Sequence, residues 1–199
     1  MPLSEFTALL LLAASMSFSP GPNTTLSTTL AANHGLRAAM RFVVAVPVGW
    51  CALLLLTTAG ISAAVLAVPA LLWVIKSCGV AYLLWLAFKL SASARMSQAR
   101  QDQMRVGFWQ GVGLQFVNIK AWLLALAIVA GWVAGHGDWS LRLAVVTPVM
   151  AAYAFFSNLL YAGLGALLRQ WLAQGRRLLW FNRAMAALLV LTALWMLRA

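Results

Sequence analysis

Ser19-Pro20-Gly21-Pro22-Asn23-Thr24-Thr25 interrupts an otherwise apolar run from Phe6 to Leu30. About 20 apolar residues suffice to cross a hydrocarbon layer roughly 30 Å thick, and this run is long enough. A continuous helix is not compatible with the interruption. Each proline removes a backbone donor and crowds the preceding turn, and Gly21 adds freedom between them. Carbonyls freed at membrane depth are tolerated only against protein or a watery cavity. The stretch therefore predicts a membrane-spanning helix broken near its middle and facing the inside of the molecule. Pro22 suits the first position of a second half-helix, which places Asn23, Thr24 and Thr25 at a positively polarised N-terminus able to receive a carboxylate. A packing kink is the plainer alternative, since proline is frequent in membrane helices.

Working outward, the rest of the chain repeats the same solvent preference. Of 199 residues 64% are hydrophobic and 9% charged, against roughly 45–50% and about 25% in soluble domains. Apolar runs near Phe6–Leu30, Phe42–Val65, Leu71–Leu90, Phe108–Val133, Leu143–Leu168 and Leu178–Leu197 predict about six transmembrane helices. The fold class is thus an all-α integral membrane protein. One membrane domain fills residues 1–199, with a first half of about 1–94, a loop of about 91–107 and a second half of about 108–199.

The net charge of +11 is distributed in loops rather than on a water-facing domain, which argues against nucleic acid and for a lipid bilayer as partner. Arg37, Arg41, Lys89, Arg95, Arg100, Arg105, Arg169, Arg176, Arg177 and Arg183 fall in or around the loops on one side. The opposite side has Lys76, Arg142 and Arg198, together with the acids Glu5 and Asp138. By the positive-inside rule the basic side is cytoplasmic and both termini face outward. The n-region Met1 to Glu5 carries an acid and no base, so the first helix is read as retained rather than cleaved. Cys51 and Cys78 lie in apolar runs, where free cysteines act as small hydrophobes, and nothing in their placement implies a disulfide framework or a metal site.

The two halves echo each other. Arg41 precedes Pro47-Val48 as Arg142 precedes Pro148-Val149, and Trp73 precedes Lys76 as Trp180 precedes Arg183. With three helices per half, this predicts two inverted three-helix repeats, in which helices one and four correspond and both are broken near the midplane. Recurrent Trp and Arg anchors at helix ends are the alternative source of such matches.

In the fourth helix the corresponding place is Gly111-Val-Gly113-Leu-Gln115-Phe-Val-Asn118-Ile119-Lys120. Lys120 lies about 18 Å along the helix from Phe108 and about 20 Å from Val133. A cation at such depth costs roughly 2.5–3.5 kcal/mol even on the mild insertion scale, so it faces a cavity or a partner. Predicted helix interiors contain no Asp or Glu, which leaves backbone carbonyls, Asn118, Gln115, Asn23 or a bound carboxylate as its partners. Asn158 in helix five either lines the same cavity or makes an interhelical hydrogen bond. His34 and His136 read as turn residues, and Tyr82 and Tyr161 as packing aromatics.

These motifs resemble the lysine exporter and homoserine/threonine exporter superfamily. Its marks are a Pro-Gly-Pro break in helix one, here Pro20-Gly21-Pro22, and a helix-four Asn-Pro-Lys, here Asn118-Ile119-Lys120. The branch that exports cysteine and O-acetylserine is the most similar, through Pro20-Gly-Pro-Asn23, His34-Gly35, Gly60-Ile61-Ser62, Ala81-Tyr82, Trp85-Leu86-Ala87, Lys89 and Leu114-Gln-Phe-Val-Asn118 with Lys120. The resemblance implies a secondary exporter of a small neutral amino acid in a bacterial inner membrane, with no enzymatic activity and no cofactor. A homo-oligomer is compatible with it. Carried over, it points to Pro20, Gly21, Pro22, Asn23, Asn118 and Lys120; Gln115 and Asn158 join them from the residue reading. Ile119 departs from the pattern, so the sharpness of the fourth helix's break is not dictated by a proline.

Two other function classes compete. A membrane thiol-disulfide electron carrier on a related six-helix scaffold needs its thiols at the helix breaks, and Cys51 and Cys78 are elsewhere. An intramembrane hydrolase needs a Ser–His pair or two buried Asp, whereas both His and both Asp fall outside the predicted helices. The absence of a Gly-rich phosphate loop makes transport secondary rather than nucleotide-driven.

Overall fold

A computed structural model describes residues 1–60, 67–93 and 106–198, and among them the regular elements are all helical. They are α1 (Leu3–Phe18), α2 (Pro22–His34), α3 (Leu36–Thr58), α4 (Pro69–Ser93), α5 (Phe108–Val117), α6 (Ile119–Ile128) continuing into a π-helical turn (Val129–Val133), α7 (Trp139–Leu172) and α8 (Arg177–Arg198). Four of them, α3, α4, α7 and α8, are singly long and apolar enough to cross a bilayer. The pairs α1–α2 and α5–α6 qualify jointly but are bent by 51° and 69°, so that the spans number six if each pair counts as one. The molecule is an all-α membrane protein with helices one and four broken, as the sequence predicts.

Two boundaries differ from the sequence reading. Helix two starts at Leu36 rather than near Phe42, because Gly35 adopts φ 85°, ends α2 and turns the chain directly into α3. Arg37 and Arg41 are therefore in the first turns of a helix, not in a loop; their long stems carry the guanidinium groups outward from an otherwise apolar rod. Its predicted end at Val65 lies outside the described residues, as do Ile61, Ser62, Arg95, Arg100, Asp102 and Arg105. Helix five is far longer than the expected Leu143–Leu168: α7 has 34 residues, about 51 Å at 1.5 Å per residue, so it outreaches the hydrocarbon layer at its ends.

The packing has two apolar cores. One gathers Leu30, Phe42, Val46, Leu83, Leu114, Leu189 and Met196 towards the end that carries Arg37 and Arg169. The other gathers Leu9, Trp50, Leu53, Leu124, Ile128 and Met150 towards the end that carries Glu5 and Arg142. There Arg142, only 7% exposed, is bonded by Glu5 at 2.7 Å and Asp138 at 2.8 Å, which ties α1 to the head of α7. Between the cores, α3 and α5 approach so closely that a Cβ on Gly49 would lie 2.7 Å from the Val112 carbonyl oxygen and 2.8 Å from Gln115 Cγ. Glycine is what lets the broken fourth span press against the second.

Candidate functional site

The two breaks meet in the interior, and their backbone groups find specific partners. In the first, the Phe18 carbonyl accepts from Tyr161 Oη at 2.9 Å, the Met16 carbonyl from Ser19 Oγ at 2.9 Å and the Gly21 carbonyl from Thr24 Oγ1 at 3.1 Å. Lys120 Nζ reaches across from the other break and donates to Ser19 Oγ at 2.6 Å and more weakly to the Ser19 carbonyl at 3.4 Å. The ammonium thus sits at the C-terminal, negatively polarised end of α1. Freed carbonyls at membrane depth need such donors, which is why the break and the lysine belong together.

The second break is made without proline. Asn118 has φ −93° and ψ 99°, its side-chain oxygen accepts the Lys120 backbone N–H at 3.2 Å, and it thereby caps α6. Trp122 Nε1 bonds the Phe116 carbonyl at 2.9 Å, satisfying one of the acceptors left open by α5. An asparagine cap substitutes for the missing ring, and the 69° bend is the sharper of the two.

Around these ends lies a small cavity of about 60 Å³, room for only a small solute as it stands. Gly21, Pro22, Asn23, Asn118, Lys120 and Asn158 line it. Two residues singled out by sequence do not. Pro20 is exposed and borders an adjoining groove against α8 that Gly21 and Lys120 also line, and Gln115 is 0% exposed behind the cavity wall. Gln115 and Asn23 exchange two amide hydrogen bonds, at 2.9 and 3.1 Å, which fix α2 against α5. Asn158 is both a liner and an interhelical partner: its Oδ1 accepts from Ser27 Oγ at 2.8 Å.

Several liners escaped sequence reading. Ser17, Ser19 and Ser157 add hydroxyls beside Thr24, which the sequence already placed at the N-terminus of this half-helix, while Trp50, Leu124 and Met150 form an apolar wall. Ser19 and Ser157 adjoin residues that were singled out, yet only the bend of α1–α2 and the packing of α7 show that they face inward. Tyr161, expected as a packing aromatic, supplies a hydrogen bond to the first break. A further amide pair, Asn33–Asn182 at 2.9 and 3.0 Å, joins α2 to α8 beyond the cavity. Asn33 lies at the fourth position from Thr29, to whose carbonyl it also donates at 2.9 Å.

Chemically, the cavity presents one ammonium, several hydroxyls and amides, and no carboxylate among its lining residues. The N-terminus of α2 opens on the same space as Lys120, so two sources of positive potential converge there. Among the described residues no group of three His, Cys, Asp or Glu could hold a metal ion. Cys51 is half-buried, Cys78 is exposed, and neither lines this cavity.

Comparison with known proteins bears on what such a cavity serves. Residues 14–199 match the family described as LysE type translocator. The chain belongs to that family. It is 32% identical over 195 residues to the cysteine/O-acetylserine efflux protein of Salmonella typhimurium, covering 97% of this chain and 96% of that one. The protein of the same name from Klebsiella pneumoniae subsp. pneumoniae is 32% identical over 192 residues, covering 96% and 94%, and that of Escherichia coli O1:K1 is 31% identical over 193 residues, covering 96% and 95%. No solved structure matches significantly. Membership in a translocator family accords with a multi-pass helical chain closed around a polar interior, and nothing in these comparisons supports a thiol-disulfide carrier.

Proposed function

We propose that the protein is a secondary exporter of a small neutral amino acid or derivative, of the cysteine/O-acetylserine or threonine/homoserine type, across a bacterial inner membrane. The observation that carries this reading is Lys120, a cation inside a membrane-spanning bundle, set in a cavity that holds no acid to neutralise it. A carboxylate arriving beside Lys120 and the N-terminus of α2 supplies the missing charge. Ser19, Thr24, Asn118, Ser157 and Asn158 offer oxygens to the substrate's ammonium and polar side chain. A second ammonium finds no carboxylate there, which disfavours lysine and arginine as substrates.

In this reading Gly21, Pro22, Asn23, Asn118, Lys120 and Asn158 form the binding site. Pro20 and Gln115 shape it from behind. The inverted repeat of residues about 1–94 and about 108–199 is supported by two parallels between the halves. Pro47 and Pro148 both sit inside long helices, and Lys76 over Trp73 at 5.7 Å mirrors Arg183 over Trp180 at 5.2 Å. The efflux names of the relatives support transport rather than catalysis.

The test is the free amino-acid content of a strain lacking the gene, compared with the same strain expressing it. Lower cytoplasmic and higher external levels of one small neutral amino acid are expected on expression. Unchanged pools across all amino acids, or selective loss of lysine or arginine, would overturn the proposal.

A further inference from the structure

A second cavity, of about 430 Å³, lies at the end of the bundle opposite Glu5 and Arg142. Its lining mixes His34, Arg37 and Arg41 with Leu30, Ala38, Val106 and Gly107. Arg37 and Arg41, one helical turn apart at the head of α3, stand over Leu30, Ala38 and Val106. Arg169, from the last turn of α7, leans over the same turn of chain, with Nη1 3.0 Å from where a Cβ on Gly35 would be. Like charges four residues apart on a helix repel. Neither Arg37 nor Arg41 has a carboxylate partner among the described residues, where Glu5 and Asp138 both serve Arg142. The start of α3 adds its own positive polarisation to the cluster. Two guanidinium groups in one cavity with a third nearby, none with a carboxylate partner among the described residues, beside the apolar Leu30, Ala38 and Val106, call for an anion with a hydrophobic body.

We propose that this cavity seats one anionic phospholipid, with its phosphate held by Arg37 and Arg41 and an acyl chain lying on Leu30, Ala38 and Val106. Arginine suits the phosphate because its planar fork can donate two hydrogen bonds to the oxygens at once. A basic pocket between membrane helices with an apolar wall is a recognised setting for such headgroups. The site is separate from the cavity around Lys120 and stands whether or not the proposed export function does.

The experiment is native mass spectrometry of the full chain released from detergent micelles, titrated with phosphatidylglycerol, phosphatidylcholine or soluble glycerol phosphate. One phosphatidylglycerol should bind saturably, with phosphatidylcholine and glycerol phosphate both much weaker. The double variant Arg37→Gln/Arg41→Gln should lose about thirtyfold in affinity, from about a tenfold-or-less contribution per surface arginine. Arg176→Gln/Arg177→Gln removes the same charge from the same end of the chain and should change affinity by less than about twofold. Arg37→Lys/Arg41→Lys keeps the charge and guards against misfolding; it should retain binding above the glutamine pair. Equal losses in the two glutamine pairs would mean diffuse attraction and would overturn the site. Glycerol phosphate binding as tightly as the lipid would overturn the lipid as its occupant.

Discussion

At the residue scale, Lys120 was legible in the sequence and its partner was not. A lysine so far from both ends of an apolar run announces itself by cost alone. Ser19 does not: a serine beside Pro20 is unremarkable until the 51° bend turns its hydroxyl towards Lys120. Asn23 and Gln115 were read as possible partners of that lysine, but amides of matching length on facing helices satisfy each other first. Lys120→Gln should lower substrate efflux on the order of thirtyfold or more, because the substrate carboxylate loses its charged partner. Lys120→Arg should fail as well, since a planar guanidinium does not reproduce a compact ammonium held at 2.6 Å from Ser19 Oγ. Efflux per unit of membrane-inserted protein is the measurement, and normal efflux by the glutamine variant would refute the role. At the opposite end, the Arg142 hydrogen bond holds the Asp138 carboxyl below the usual carboxylate range. Folding therefore favours its charged form, and that contribution is fully present above pH about 4 and is lost as pH falls through the lowered value. Melting curves of Asp138→Asn and the unaltered protein should differ at neutral pH, and the difference should shrink as the pH falls below about 4.

At the element scale, the first break was written in the sequence by Pro20, Gly21 and Pro22, residues whose covalent geometry permits little else. The second was less legible. Nothing at Ile119 forbids a helix, and the bend depends on Asn118 choosing its neighbour's backbone N–H over the helical pattern. Helix two was placed six residues late because arginines were counted as loop, when a helix can begin among them if their heads reach water. Close approach was not legible either, for a glycine in an apolar run does not say which helix it admits. Gly49→Val should lower thermal stability in detergent by about 1–3 kcal/mol through overpacking against Val112 and Gln115. Gly113→Val, where nothing lies within 4 Å of an added Cβ, is the comparison and should be close to neutral. Equal melting of the two variants would show that α3 and α5 are not held at this spacing.

At the scale of the whole molecule, the charge pattern gave the ends of the bundle more securely than the spans gave their borders. Glu5, distant in sequence from Asp138 and Arg142, shares one end with them, and Arg37 and Arg169 share the other. Ten bases on one side against three on the other predict the basic end inside and both termini outside. Fusions to alkaline phosphatase should be active at the C-terminus and inactive within the Arg95–Arg105 stretch, and the reverse result would invert the orientation. The unequal making of the two breaks has a kinetic consequence. In helix one the interruption is covalent and permanent. In helix four it is held by two hydrogen bonds, from the Lys120 N–H to Asn118 Oδ1 at 3.2 Å and from Trp122 Nε1 to the Phe116 carbonyl at 2.9 Å, so this joint can relax towards a straight rod at the expense of about two hydrogen bonds, roughly 1–3 kcal/mol net. A carrier with one fixed elbow and one that unlocks can swing the half bearing its substrate anchor against a stationary counterpart. Ile119→Pro would freeze the second elbow at a position where a ring is sterically welcome, the first residue of α6. Turnover should then slow while half-saturation by substrate stays within about twofold, because binding of the ground state is left as it was; unchanged turnover would show that this joint stays bent throughout the cycle.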